Sequence, residues 1–161
     1  MANHVWSVLC ESFSIDRFTH HASLFDLVET LEVTLEKPFP ANAEKSVLHV
    51  RMTLVSYWVR QDPDVPERAE CRYGLLLPTR RRVSAPEESE IDLETVSRAR
   101  SFGRIGHLQD GGPGTYVFLV EHRIAGARKW KLGAQVPFWV SILPAEGSSV
   151  VTPPKMARRG R

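Results

Sequence analysis

The stretch from Ser46 to Leu77, SVLHVRMTLVSYWVRQDPDVPERAECRYGLLL, constrains this chain more than any other, because it sets two runs of alternating apolar residues on either side of a proline and acid turn. Alternation at period two marks strands that bury one face. Pro63 and Pro66 with Asp62 and Asp64 are turn formers, so the sequence predicts a β-hairpin. In the first run Leu48, Val50, Met52 and Leu54 share one parity, whereas Val55, Tyr57 and Val59 take the other. A β-bulge would produce that phase change.

The rest of the chain repeats this grammar. Val5 to Cys10 suits a strand with Trp6, Val8 and Cys10 on one face and Val5 and Leu9 on the other. Between Ala22 and Glu36, Leu31, Val33 and Leu35 alternate as in a strand, while Leu24, Leu27, Val28 and Leu31 also fit a helical stripe; both readings stand, and a strand with a bulge is favoured. Pro38 and Pro40 remove backbone donors and imply a loop. Ala69 to Leu77 is a strand with Cys71, Tyr73 and Leu75 on one side. Thr79 to Arg98 is charged, with Ile91, Leu93 and Val96 as anchors for a short edge strand. Phe102, Ile105 and Leu108 lead into the glycine turn QDGGPGT, which feeds a strand from Tyr116 to Glu121. Trp130 to Leu143 alternates strictly, and Pro137 within it implies an edge strand or a break.

These elements predict an all-β chain, a single antiparallel β-sandwich of about seven or eight strands with at most one short helix. The domain spans 1–143. Residues 144–161 turn to Pro, Ser, Gly and basic side chains with little to bury, and read as a flexible tail. At 161 residues with 42% apolar content, one core forms without disulfide or metal. Two cysteines, Cys10 and Cys71, inside apolar runs, and no signal segment at the N-terminus point to a cytoplasmic protein. No apolar run is long enough to span a bilayer. Of the net charge of +2, the excess sits in Lys155, Arg158, Arg159 and Arg161, so the body is mildly acidic, which argues against a nucleic-acid footprint.

The order VWSVLC, SLFDLVETL, LVSYWVRQDPDVPE, GLLLP, GPGTYVFLVE and a tryptophan before VPFWV resembles small uncharacterised bacterial proteins of the DUF6941 kind. The resemblance covers about residues 4 to 143 and implies a β-sandwich. It carries no activity, cofactor or site residue to this chain.

Candidate chemistry is sparse. His20 and His21 adjoin Asp16, but neighbouring strand residues point to opposite faces and close poorly on one ion. His4, His49, His107 and His122 are scattered. Asp62, Asp64 and Glu67 offer three carboxylates in one end loop, weak candidates for calcium unless a second acidic loop, Glu87, Glu88 and Glu90, approaches. Cys71 reads as a small buried apolar residue rather than a nucleophile. GGPG lacks the lysine and helix of a phosphate loop.

Trp58 stands beside Tyr57 and Trp139 beside Phe138, so one aromatic of each pair must point away from its neighbour. Trp58, Tyr57 and Trp139 are therefore the candidate aromatic binding surface. The sequence reads as a non-catalytic binding or accessory module, without a cofactor, that docks an unknown protein partner or a second copy of itself. The alternative is a β-sandwich that binds a small ligand or carbohydrate.

Overall fold

Alternating runs become strands here because each buries one row of side chains, and a computed structural model describes this for residues 2–35 and 47–144. Among the described residues nine strands succeed one another: β1 Asn3–Ile15, β2 Ala22–Leu27, β3 Thr30–Leu35, β4 Val47–Val59, β5 Glu67–Leu76, β6 Arg82–Leu93, β7 Arg98–Gln109, β8 Gly114–Ile124 and β9 Lys131–Pro144. There is no helix among the described residues, which closes the helical reading of 22–31. The strands form a four-stranded sheet, β2-β1-β4-β7, and a five-stranded sheet, β3-β9-β8-β5-β6. All pairings are antiparallel except that of β3 with β9. The all-β sandwich is thus the observed fold, with nine strands in place of seven or eight. Past Pro144 the tail lies outside the described residues.

The hairpin expected from 46–77 does not form. β4 pairs with β1 and β7, whereas β5 pairs with β6 and β8 in the other sheet. The turn at 60–66 is an arch between sheets. Alternation says that one face of each strand is buried; two strands facing each other across a core satisfy it as well as two strands side by side. Here Leu54 and Trp58 of β4 look across at Ala69, Cys71 and Tyr73 of β5, all of them buried.

The segment 22–36 is likewise two strands in two sheets. Asp26 adopts φ 54°, Val28 donates its amide to Leu9 O of the first sheet, and Glu29 O accepts from Trp139 N of the second. The chain changes sheets between Val28 and Glu29. The bulge in β4 falls between His49 and Met52, not at Val55.

β6 is an edge strand, as Ile91 and Leu93 suggested, but it runs for twelve residues, and Val96 lies beyond it, exposed. β7 was legible in sequence only as the approach to a turn. Pro137 neither ends β9 nor puts it at an edge. Trp139 directs its amide to β3, so Pro137, two residues earlier, turns its nitrogen the same way, before β3 pairing begins at Thr30, where no ladder donor is required. In the glycine turn Gly112 and Gly114 have φ of 79° and 138°. Tyr116 locks it: its hydroxyl accepts from Gly111 N at 2.8 Å and donates to Gly112 O at 3.0 Å.

Candidate functional site

Register fixes which side chains of the four-stranded sheet face away from the core. Trp58, Ser101 and Gly103 face the other sheet, since Trp58 contacts the His122 ring at 5.3 Å, Tyr73 donates to Ser101, and Gly103 abuts the Tyr73 ring. Their neighbours must therefore point outward. On β4 these are Thr53, Val55 and Tyr57, aligned with Cys10, Val8 and Trp6 of β1 and with Arg104, Phe102 and Arg100 of β7. This face holds no carboxylate at those positions.

It is also partly covered by the chain itself. Pairing of β1 with β4 ends at Cys10, and the remainder of β1 stays paired only with β2 as a hairpin arm. The arm crosses the outside of β4 and β7: the Phe13 ring stacks on Phe102 at 4.5 Å with 10° between planes, and Arg100 donates to His20 O at 3.1 Å. Trp6 stacks on Tyr57 at 5.5 Å, and the Arg100 guanidinium lies over the Tyr57 ring at 5.5 Å. Under this cover Val55 is wholly buried on a face that would otherwise meet water. That explains the phase change in β4: apolar residues occupy both parities because both faces are covered.

The arm leaves its own apolar side chains in solvent. Phe18 at its tip is 93% exposed, and Phe25 and Leu27 on β2 are about half exposed. At its turn Asp16 accepts from Phe18 N and Thr19 N, bonds that hold its carboxyl below the usual range. Beneath the arm lies a cleft of about 390 Å³, lined by Glu11 and Phe13 of the arm, Arg51 and Met52 at the β4 bulge, and Arg104 and Ile105 of β7.

The outer face of the five-stranded sheet is the opposite in character. Arg72 and Arg82 both bond Glu121, Arg123 bonds Glu70 and Glu88, and Arg68 pairs with Glu94 and Glu90. The Trp130 ring lies within 4.3 Å of the Arg72 and Arg123 guanidiniums. Burial pushes the Glu121 carboxyl up, yet donation from Arg82 and Arg72 outweighs it and holds the carboxyl below its usual range.

Between the sheets runs a polar network. Trp58 Nε1 and Tyr73 OH both donate to Ser101 Oγ, at 2.8 and 2.9 Å, and Cys71 Sγ lies 3.9 Å from Tyr73 OH. Burial raises the Tyr73 hydroxyl and the Cys71 thiol well clear of neutral pH, so neither is an anion. Cys10 is buried too, and its thiol is pushed up by burial. His4 Nε2 is 2.7 Å from Ser7 Oγ, which is 2.7 Å from Ser56 Oγ. The pair has the spacing of a base and a hydroxyl nucleophile, but Ser7 is aligned with the core-facing Ser56, away from the cleft under the arm. Burial lowers the pKa of His4, helped by the charge of His122; burial also lowers that of His122, with Lys131 adding to it.

Of the residues singled out in the sequence, Trp58 is 0% exposed and belongs to the core, so it is no surface anchor. Its alternation partner Tyr57 points outward and is half buried under Trp6 and Arg100. Trp139 is half exposed, on the other sheet, with Phe138 buried behind it. The structure therefore does not gather the three into one surface. Asp62 accepts from Asp64 N and Glu67 from Gln61 N within the arch. Glu88 and Glu90, the acidic supply for a calcium site, are engaged by Arg123 and Arg68. No group of three metal-ligating side chains converges among the described residues. His20 lies in the exposed turn of the arm with φ 57°. Sequence reasoning missed the arm and the cations of β7, although RARSFGR sets Arg98, Arg100, Phe102 and Arg104 at period two.

These features define a two-sheet β-sandwich with an arm folded across one sheet, and no described helix is long and apolar enough to cross a membrane. No protein family matches the chain by sequence, and no characterised protein does. Among solved structures it is similar to an alkylpurine DNA glycosylase of Pseudomonas fluorescens, AlkC, bound to DNA containing an abasic site analog, with 10% identity and a TM-score of 0.38 over 70% of this chain. It spans 27% of that protein. It is also similar to the N-terminal domain of PorA, with 12% identity and a TM-score of 0.26, covering 85% of this chain and 97% of that one.

Proposed function

We propose that this protein is a non-catalytic binding module, bacterial and cytoplasmic, that docks a protein partner through the arm and the outer face of its four-stranded sheet. The DUF6941-type resemblance, which implies a β-sandwich and no activity, would supply the scaffold of such a module. One observation carries it: the arm holds Phe25 and Leu27 half exposed and Phe18 fully presented, beside a sheet face that has no carboxylate at the positions aligned on β1, β4 and β7. Apolar groups held in solvent on a folded arm favour a partner that buries them.

The test is site-specific photocrosslinking from position 25, with light scattering on the same protein. The reading expects a discrete crosslinked partner, or a dimer, that is lost in the Phe18→Ser, Leu27→Ser variant. A strictly monomeric protein that crosslinks to nothing overturns it. A second reading, binding of a small apolar ligand, draws on a cleft of about 320 Å³ lined by Leu75, Val83, Leu108 and Phe118. It would show as an organic molecule co-purifying with the protein and released on denaturation.

A further inference from the structure

We infer that the partner segment is extended and acidic, its carboxylates seated along β7 and in the cleft under the arm. The inference rests on the docking reading above and adds the chemistry of the partner. On the five-stranded sheet Arg68, Arg72, Arg82 and Arg123 each have a carboxylate partner. On the four-stranded sheet Arg98, Arg100 and Arg104 point outward from β7, and no ion pair engages them or Arg51 among the described residues. Glu11 lines the same cleft as Arg51 and Arg104 and pairs with neither. A chain that pairs Arg68, Arg72, Arg82 and Arg123 of one sheet with carboxylates leaves, on the other, a cationic row beside its exposed apolar arm. That row is complementary to acid.

Spacing selects an extended segment. Arg98 and Arg100 are two residues apart on one strand, about 7 Å, and Arg104 lies about 13 Å further. An extended peptide with an acid at alternate positions repeats at the same step, whereas a helix brings its like residues together every third and fourth position. Single-stranded nucleic acid offers a similar charge step, but its bases need free ring faces to stack on. Tyr57 is held between Trp6 and Arg100, and Phe13 and Phe102 are stacked on one another. The rings within the row itself, Tyr57 and Phe102, are thus already engaged, and the exposed rings Phe18 and Phe25 lie on the arm rather than between the arginines, which favours a protein segment.

The test uses the full chain and fluorescence anisotropy with labelled probes: a peptide alternating Glu and Val, its Lys and Val counterpart, oligo-dT, and vesicles of phosphatidylserine. The Glu peptide should bind at least about tenfold tighter than the Lys peptide at low salt and weaken as salt rises. Arg98→Glu and Arg104→Glu should each weaken it about fivefold, and Arg104→Lys should restore most of the loss. Equal binding of the two peptides, or tighter binding of oligo-dT or vesicles, overturns the inference. So does a charge reversal that leaves peptide binding unchanged and only makes the protein self-associate, because the arginines then serve to keep an edge strand from pairing. If the crosslinked partner is lost with Phe18→Ser, Leu27→Ser but kept with both charge reversals, docking stands and the acidic partner falls.

Discussion

Ser101 accepts hydrogen bonds from two buried donors on opposite sheets, Trp58 Nε1 and Tyr73 OH, so it joins the sandwich at its centre. Replacing it with alanine removes one oxygen and strands both donors. Each buried donor left without a partner costs about 1–3 kcal/mol. Trp58 is fully buried, and its indole nitrogen has no other described acceptor; Tyr73 also has Ser56 within reach to recover part of its loss. The expected cost of Ser101→Ala is therefore about 2–4 kcal/mol. In urea, with a slope of about 1–3 kcal/mol per molar, the unfolding midpoint should fall by about 1–2 M.

A double-mutant cycle with Tyr73→Phe isolates the cause. Removing the phenol alone leaves Ser101 still engaged by Trp58, and removing both partners leaves one donor stranded in place of two. The double variant should thus be less damaged than the sum of the singles, by about 1 kcal/mol or more. A Ser101→Ala midpoint within 0.3 M or so of the parent, or strict additivity in the cycle, would refute the reasoning.

Gly103→Ala would set a Cβ 2.7 Å from the Tyr73 ring, which its bond to Ser101 holds in place, and should cost about 1–3 kcal/mol by the same urea assay. His4 and His122 have lowered pKa values in the folded protein, so acid favours the unfolded chain: their stabilisation is complete above the unfolded value of about 6.5 and is lost as pH falls through the folded values. Urea midpoints should therefore drop from pH 7.5 to 5, and the drop should shrink in His122→Gln; a flat profile counts against it. Cys10 and Cys71 are buried with raised pKa values, and a thiol reagent such as DTNB should titrate both only after denaturation.

The alternation in VRMTLVSYWV, AECRYGLLL and AQVPFWV was enough to predict strands, a sandwich, and the opposed directions of Tyr57 and Trp58 and of Phe138 and Trp139. Period two is a local property of the backbone, so it survives reading along the chain. Which strand lies beside which is not local. The same alternation allowed β4 and β5 to pair or to face one another, and only the shared core, where Trp58 meets His122 and Tyr73 reaches Ser101, decided for the arch. Which of Tyr57 and Trp58 faces the core is decided there too, by whichever row completes the packing. The arm, the burial of Val55 beneath it, and the unpaired arginines of β7 depend on contacts between residues far apart in sequence, Phe13 with Phe102 and His20 with Arg100. Exposure and charge pairing are properties of such contacts, and the folded chain alone supplies them.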